Sequence, residues 1–234
     1  MWAEVRPLII AHRGASAEAP ENTVAAFRLA RRYRAGLVEL DVHQTKDGRL
    51  VVIHDATLRR TTGCEATVGH LTLAQLRRLD AGSWFSPRFR GEPIPTLEEA
   101  LASLGSRMGV NIELKAGRYP GMEGRLIALL DRLGWIERAL VSSFHPSQLA
   151  RVRGVHRSVA IGILVHPWSL SLALARARRY AALSIHPPAR VTTAQLVSRI
   201  HRNGRLVFPY TVDHQADRAR LIRMGIDGYF TNRP

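Results

Sequence analysis

Glu39 and Asp41 stand two residues apart in the apolar run LVELDV, and Glu113 and Lys115 repeat that spacing in VNIELKAG. On a strand, residues two apart point to the same side, so each pair presents its charges together. Carboxylates that share an apolar face repel, and burying them is costly unless a cation or hydrogen-bond donors compensate. Two arrangements meet that cost. Three converging carboxylate oxygens, with no His-x-x-x-His spacing and a single cysteine, suit a hard oxygen-seeking ion, Mg²⁺ or Ca²⁺. Alternatively, the carboxylates form ion pairs with Lys115 and Arg13. The chain writes arginine nearly everywhere, and Lys46 and Lys115 are its only lysines. A compact ammonium at 115 suits a place where a planar guanidinium would be too bulky. His12 and Arg13 follow the apolar run LIIA, and His54 follows VVI, so both imidazoles fall where a strand ends. An imidazole has the intrinsic acidity to take one proton and give another near neutral pH.

The elements that must position these groups follow a repeated rhythm. Apolar, β-branched runs at 8–11, 37–42, 110–114, 139–143, 159–164, 182–186, 206–210 and 227–230 give eight strand candidates, separated by helix-like segments. Helix starts are signalled by Asn22, by Thr96 with Glu99 and by Thr192 with Gln195. This alternation in an undivided chain of 234 residues predicts an α/β fold, a (β/α)₈ barrel spanning 1–234 as one domain. Catalytic groups of such barrels lie at the strand ends that lead into the helices. One stretch breaks the rhythm. Asp47-Gly48 is a hairpin signal, and a turn centred there sets His54 opposite Asp41 at the mouth of the second strand. From about 55 to 95 the chain is too long for an ordinary connection and includes the helical signal LTLAQLRRL, which predicts a small inserted subdomain over that mouth.

Composition narrows the function classes. Lys and Arg number 34 against 19 Asp and Glu, a net charge of +15, which attracts phosphates and anionic surfaces without choosing among them. Aromatic residues are only 6% of the chain, too few for the stacking platforms of single-strand binders, and no specific nucleic-acid module is present. No apolar stretch is long enough to span a membrane, and MWAEVRPLII lacks the pattern of a secretory signal, so a cytoplasmic chain is expected. Cys64 reads as a packing or loop residue. His70, His156, His166 and His201 read as surface or packing residues, whereas His186 ends a strand and is a candidate for lining the site.

The blocks AHRGASAEAPENTVAAF, VELDVHQTKDGRLVVIHDATLRRTTG, IPTLEEAL, NIELKAG, VSSFHP and GIDGYFTN resemble, in order and spacing, the glycerophosphodiester phosphodiesterase family. The resemblance covers nearly the whole chain. It implies a TIM barrel with a small insertion and metal-dependent cleavage of glycerophosphodiesters to glycerol 3-phosphate and an alcohol. It also implies that Glu39, Asp41 and Glu113 are metal ligands, that His12 and His54 are the acid/base pair, and that Arg13 and Lys115 contact phosphate. Phe144 of VSSFHP and Tyr210 are expected on the substrate's side of the pocket. The chain departs from the family pattern at Tyr210 and Asp213 of PYTVD and at Asn232, and it ends without an eighth outer helix. A barrel wall left bare there is a hydrophobic patch, to be covered either by the segment MWAEVRPL or by a second subunit in a homodimer. The alternatives are a lysophospholipase D activity, in which Trp84 and Phe85 grip an acyl chain, and a non-catalytic basic barrel that binds anionic membrane or nucleic acid.

Overall fold

The computed structural model describes residues 7–115, 117 and 119–234. Strand β1 (Leu8–Ala11) leads into α1 (Val24–Arg32), and β2 (Leu37–Gln44) turns back into the short antiparallel β3 (Leu50–Val52). Two one-turn helices, α2 (Arg59–Thr62) and α3 (Leu73–Leu76), precede α4 (Leu97–Leu104). The alternation then runs regularly through β4 (Gly109–Leu114), α5 (Met122–Arg132), β5 (Ala139–Ser143), α6 (Pro146–Val155), β6 (Ala160–Leu164) and α7 (Leu170–Arg179). It ends with β7 (Ser184–His186), α8 (Ala194–His201), β8 (Leu206–Val207), α9 (Gln215–Arg223) and β9 (Gly228–Thr231).

All strands but β3 are parallel to their neighbours, in the order β8-β7-β6-β5-β4-β2-β1-β9. Backbone bonds from Asp227 N to Val207 O (3.1 Å) and from Phe230 N to Pro209 O (2.9 Å) bring the two ends together, so the barrel is nearly closed. The period-two pattern decides which residues fill it. Leu8, Ile10, Leu37, Leu140, Phe208 and Phe230 pack as one cluster inside the barrel, while Val38, Leu40, Val42, Val110, Ile112 and Leu114 face the helices. Further along the same inward faces come His12, Glu39, Asp41, Asn111 and Glu113. The floor is apolar and the mouth is charged.

The segment from Leu58 to Ile94 has a core of its own, in which Leu58, Val68, Leu76, Ala81 and Ile94 pack with Val51 and Ile53 of the hairpin. Cys64 packs against it, as a loop residue. Several local readings shift by one residue. The hairpin has a three-residue loop, Lys46 to Gly48, with Gly48 left-handed at φ 78°. Val42 therefore pairs with Val52, and Asp41 O accepts from Ile53 N (3.0 Å), so Ile53 and not His54 lies opposite Asp41. Helix α1 is capped by Thr23, not Asn22. Thr23 accepts from Ala26 N, and Asn22 sits left-handed at φ 59° with its amide turned to Asp41. Thr193 likewise caps α8, while Thr192 Oγ1 bonds back to Pro188 O (3.0 Å). The capping box of Thr96 with Glu99 is present as read.

The wall at β9 and β1 is not bare. Tyr229, which faces outward on β9, is 3% exposed, and Thr231 and Ala11 are buried as well. The segment MWAEVRPL, one of the two covers expected for this wall, lies outside the described residues up to Arg6. No described helix is long and apolar enough to cross a membrane.

Candidate active site

At the end of β1 the chain must turn sharply, and His12-Arg13-Gly14 makes that turn. Arg13 is left-handed (φ 56°) and directs its backbone N–H to Glu39 Oε2 at 2.8 Å. Gly14 follows at φ 83°, and a Cβ there would lie 2.7 Å from the Ala26 backbone, so α1 approaches the loop only because this residue is glycine. The parallel register between β2 and β4 sets Glu39 beside Asn111 and Asp41 beside Glu113. Carboxylate oxygens of Glu39, Asp41 and Glu113 consequently lie within 4.8 Å of one another, with Glu39 and Asp41 almost fully buried.

Two cations partly balance the three acids. Arg13 Nε is 3.4 Å from Asp41 Oδ2, and Lys115 Nζ is 2.7 Å from Glu113 Oε1 and 3.3 Å from Asp41 Oδ1. Burial works against ionised Asp41, yet Lys115 and Arg13 hold it well below the usual carboxylate range. Burial and the neighbouring Asp41 push Glu113 up to about 7 and Glu39 also upward. Glu39 Oε1 is buried without a hydrogen-bond partner, and Asp41 Oδ1 has the Lys115 ammonium as its ion-pair partner. Three acids facing two fixed cations, with the buried Glu39 Oε1 among them left without a hydrogen-bond partner, fit a divalent cation bound by oxygen ligands.

His12 and His54 line the same cavity of about 230 Å³, together with Arg13, Glu39, Glu113, Lys115, Phe144 and Tyr210. Each imidazole donates from Nδ1 and so keeps Nε2 for the cavity. His12 donates to Asn232 Oδ1 (2.8 Å), whose amide in turn donates to Asp213 Oδ2 (2.6 Å). His54 donates to Asp55 Oδ1 (2.6 Å). Burial lowers the pKa of both imidazoles, that of His12 to about 4 with Arg13 adding to the effect. His43, not singled out in the sequence, supports His54 from below: its Nε2 donates to His54 O (3.1 Å) and its Nδ1 accepts from Tyr119 Oη (2.7 Å). Asn111 also lines the cavity, with a buried and unpartnered Oδ1. The far wall is aromatic. Phe144 stands edge-on to Tyr210 at 6.0 Å and stacks on His166 at 4.3 Å, and Tyr210 Oη donates to Val165 O.

His186 does not line the site. It is fully buried between Phe208 and Phe230, with Nε2 sharing a hydrogen bond with Ser184 Oγ (2.8 Å), in space left by Gly162, where a Cβ would lie 2.4 Å from the ring. His201 is a packing residue that donates to Asp227 Oδ2 at 2.8 Å.

The family model for the glycerophosphoryl diester phosphodiesterase family matches residues 12–234, which takes in every residue of this site. The chain belongs to that family. The glycerophosphodiester phosphodiesterase of Caldanaerobacter subterraneus subsp. tengcongensis is 42% identical over 98% of this chain and 96% of its own length. A Bacillus subtilis glycerophosphodiester phosphodiesterase is 36% identical over 98% of this chain and 84% of its own. Among solved structures, an Oleispira antarctica phosphodiesterase in complex with the product sn-glycerol-3-phosphate superposes with a TM-score of 0.87 at 32% identity, covering 97% of this chain and 94% of that one. The glycerophosphodiester phosphodiesterase of Agrobacterium tumefaciens gives 0.86 at 31% identity, covering 97% of each.

Proposed function

We propose that this chain hydrolyses glycerophosphodiesters to sn-glycerol 3-phosphate and an alcohol, with His12 and His54 moving the protons and Glu39, Asp41 and Glu113 holding Mg²⁺ or Ca²⁺. The observation that carries this reading is one cavity in which two imidazoles, each held through Nδ1, stand beside three clustered carboxylates, Arg13 and Lys115, with His12 Nε2 4.0 Å from Glu39 Oε2. The bound cation would supply positive charge to the phosphate oxygens and Lewis acidity to the reacting centre. Arg13 and Lys115 retain N–H donors beyond those engaged with Asp41 and Glu113, and these face the phosphate dianionic charge that develops during attack. Phe144 and Tyr210 form the wall against the carbon skeleton, where tyrosine keeps an aromatic surface while its hydroxyl is satisfied by Val165.

The proton movements follow from the two imidazoles. One histidine Nε2 removes the proton of the substrate hydroxyl adjacent to the phosphoester, a nucleophile already held beside phosphorus and therefore of high effective concentration. The other protonates the departing alcohol, and a cyclic phosphate forms. Water then opens that ring with the two histidines exchanging roles. A diester in which the adjacent hydroxyl is replaced by methoxy tests the route, provided its binding is measured separately. Retained binding with loss of turnover is expected; normal turnover of the analogue contradicts the cyclic step, and absence of turnover on the unmodified diester contradicts the activity.

A further inference from the structure

We infer that Arg60 is a positioning residue that sets His54 and Arg13 together through two intervening carboxylates; the inference rests on the phosphodiesterase reading above. Arg60 lies on α2 of the inserted segment and touches neither the carboxylate cluster nor the cavity lining. Its Nε donates to Asp55 Oδ2 at 2.6 Å, while the other oxygen of Asp55 accepts from His54 Nδ1. Its Nη1 and Nη2 donate to Glu21 Oε2 and Oε1 at 2.9 and 2.7 Å, and Glu21 Oε1 also accepts from Arg13 Nη1 at 3.0 Å. One guanidinium thereby closes a chain from a catalytic imidazole to a phosphate-binding arginine.

The chemistry requires that fork. A carboxylate held by one oxygen alone can rotate and swing the imidazole it orients; with its second oxygen fixed, it cannot. Serving two carboxylates from three N–H positions in one plane is possible for arginine and not for a lysine ammonium. The insertion holds Arg60 in turn. Its neighbours Leu58 and Thr61 are buried, and the guanidinium carbon stands 5.7 Å from the centre of the Trp84 ring. The Arg60 side chain is 42% exposed, and ion pairs at that exposure contribute little to stability, so the network's value lies in orientation. This gives the insertion a task in catalysis other than gripping an acyl chain.

The test compares Arg60→Gln, Arg60→Lys, Asp55→Asn and the double variant Asp55→Asn/Arg60→Gln in the Mg²⁺-supplemented enzyme with glycerophosphocholine. Arg59→Gln is the control, because this substitution removes the same charge one residue away and Arg59 pairs with the exposed Glu65 at 3.1 Å. Arg60→Gln is expected to lower kcat/KM by about 10- to 100-fold with unchanged melting temperature, with Arg60→Lys recovering only part of the loss. Arg59→Gln should keep the wild-type rate. The double variant should lose less than the product of the single losses, because Arg60 acts partly through Asp55. A readout independent of turnover is the histidine NMR titration: loss of the cation leaves the Asp55 charge uncompensated and moves the His54 transition to higher pH. Arg60→Gln rates within about twofold of wild type, fully multiplicative losses, or an unmoved His54 titration would overturn the proposal. A wild-type enzyme that releases no glycerol 3-phosphate contradicts the activity instead, and the NMR comparison then judges Arg60 alone.

Discussion

At the level of single residues, the two imidazoles of the cavity share a geometry and differ in partner. His12 is held by the neutral amide of Asn232, and His54 by the carboxylate of Asp55. In the proposed reaction each supplies one of two proton transfers, so His12→Ala and His54→Ala should each lower turnover by about 10²- to 10⁴-fold without unfolding the chain. His201→Ala should leave turnover intact while lowering the melting temperature, because its bond to Asp227 is remote from the cavity. Steady-state rates with thermal melts for the three variants check this, and a near-wild-type His54→Ala would remove it from the mechanism. The charged residues of the site were legible in the sequence because acids in an apolar strand have no cheap structural reason to be there. Asn232, Asp55 and His43 were not, since a polar residue near a loop looks alike whether or not it orients an imidazole. Asn232 meets His12 across nearly the whole chain, a closeness that only barrel closure creates.

At the scale of elements, the turn after β1 and the hairpin after β2 bring the two histidines to one mouth. Gly14 is the point where that arrangement is most constrained, by its positive φ and by the Ala26 backbone. Gly14→Ala should therefore destabilise the fold by about 1–3 kcal/mol and reduce turnover further than stability alone explains, as α1 is forced away from the Arg13 loop. Urea unfolding alongside kinetics measures both; an unchanged midpoint contradicts the close approach. The eight barrel strands and the capping box at Thr96 were readable from period and cap chemistry. The hairpin register and two of the helix starts were displaced by one residue for identifiable reasons. Asp47-Gly48 serves a two-residue or a three-residue loop; the two-residue turns need Asp47 left-handed, and here Gly48 is left-handed while Asp47 is not, which gives the longer loop. Asn22-Thr23 and Thr192-Thr193 each offer two adjacent capping residues, and the unused one is occupied elsewhere: Asn22 by Asp41 and Thr192 by Pro188.

At the scale of the whole molecule, the apolar barrel floor imposes a pH dependence of its own. Burial lowers the His186 pKa from 6.5 to about 3. Below pH 6.5 the unfolded chain takes up a proton that the folded chain refuses, so stability is lost as pH falls from 6.5 toward 3, by about 1.4 kcal/mol per pH unit from this residue. His186→Gln should be less stable at pH 7, from lost packing between Phe208 and Phe230, yet show a flatter decline on acidification. Denaturant titrations at several pH values check it, and parallel declines contradict it. The mouth of the barrel carries the central claim, that a carboxylate-held divalent cation and two histidines cleave glycerophosphodiesters. It is tested most directly by release of sn-glycerol 3-phosphate from glycerophosphocholine and glycerophosphoethanolamine before EDTA, after EDTA, and after Mg²⁺ or Ca²⁺ is restored. Turnover is expected to disappear with chelation and to return with one of the two ions; full turnover in metal-free buffer, or no release with either ion, would contradict the metal-dependent reaction.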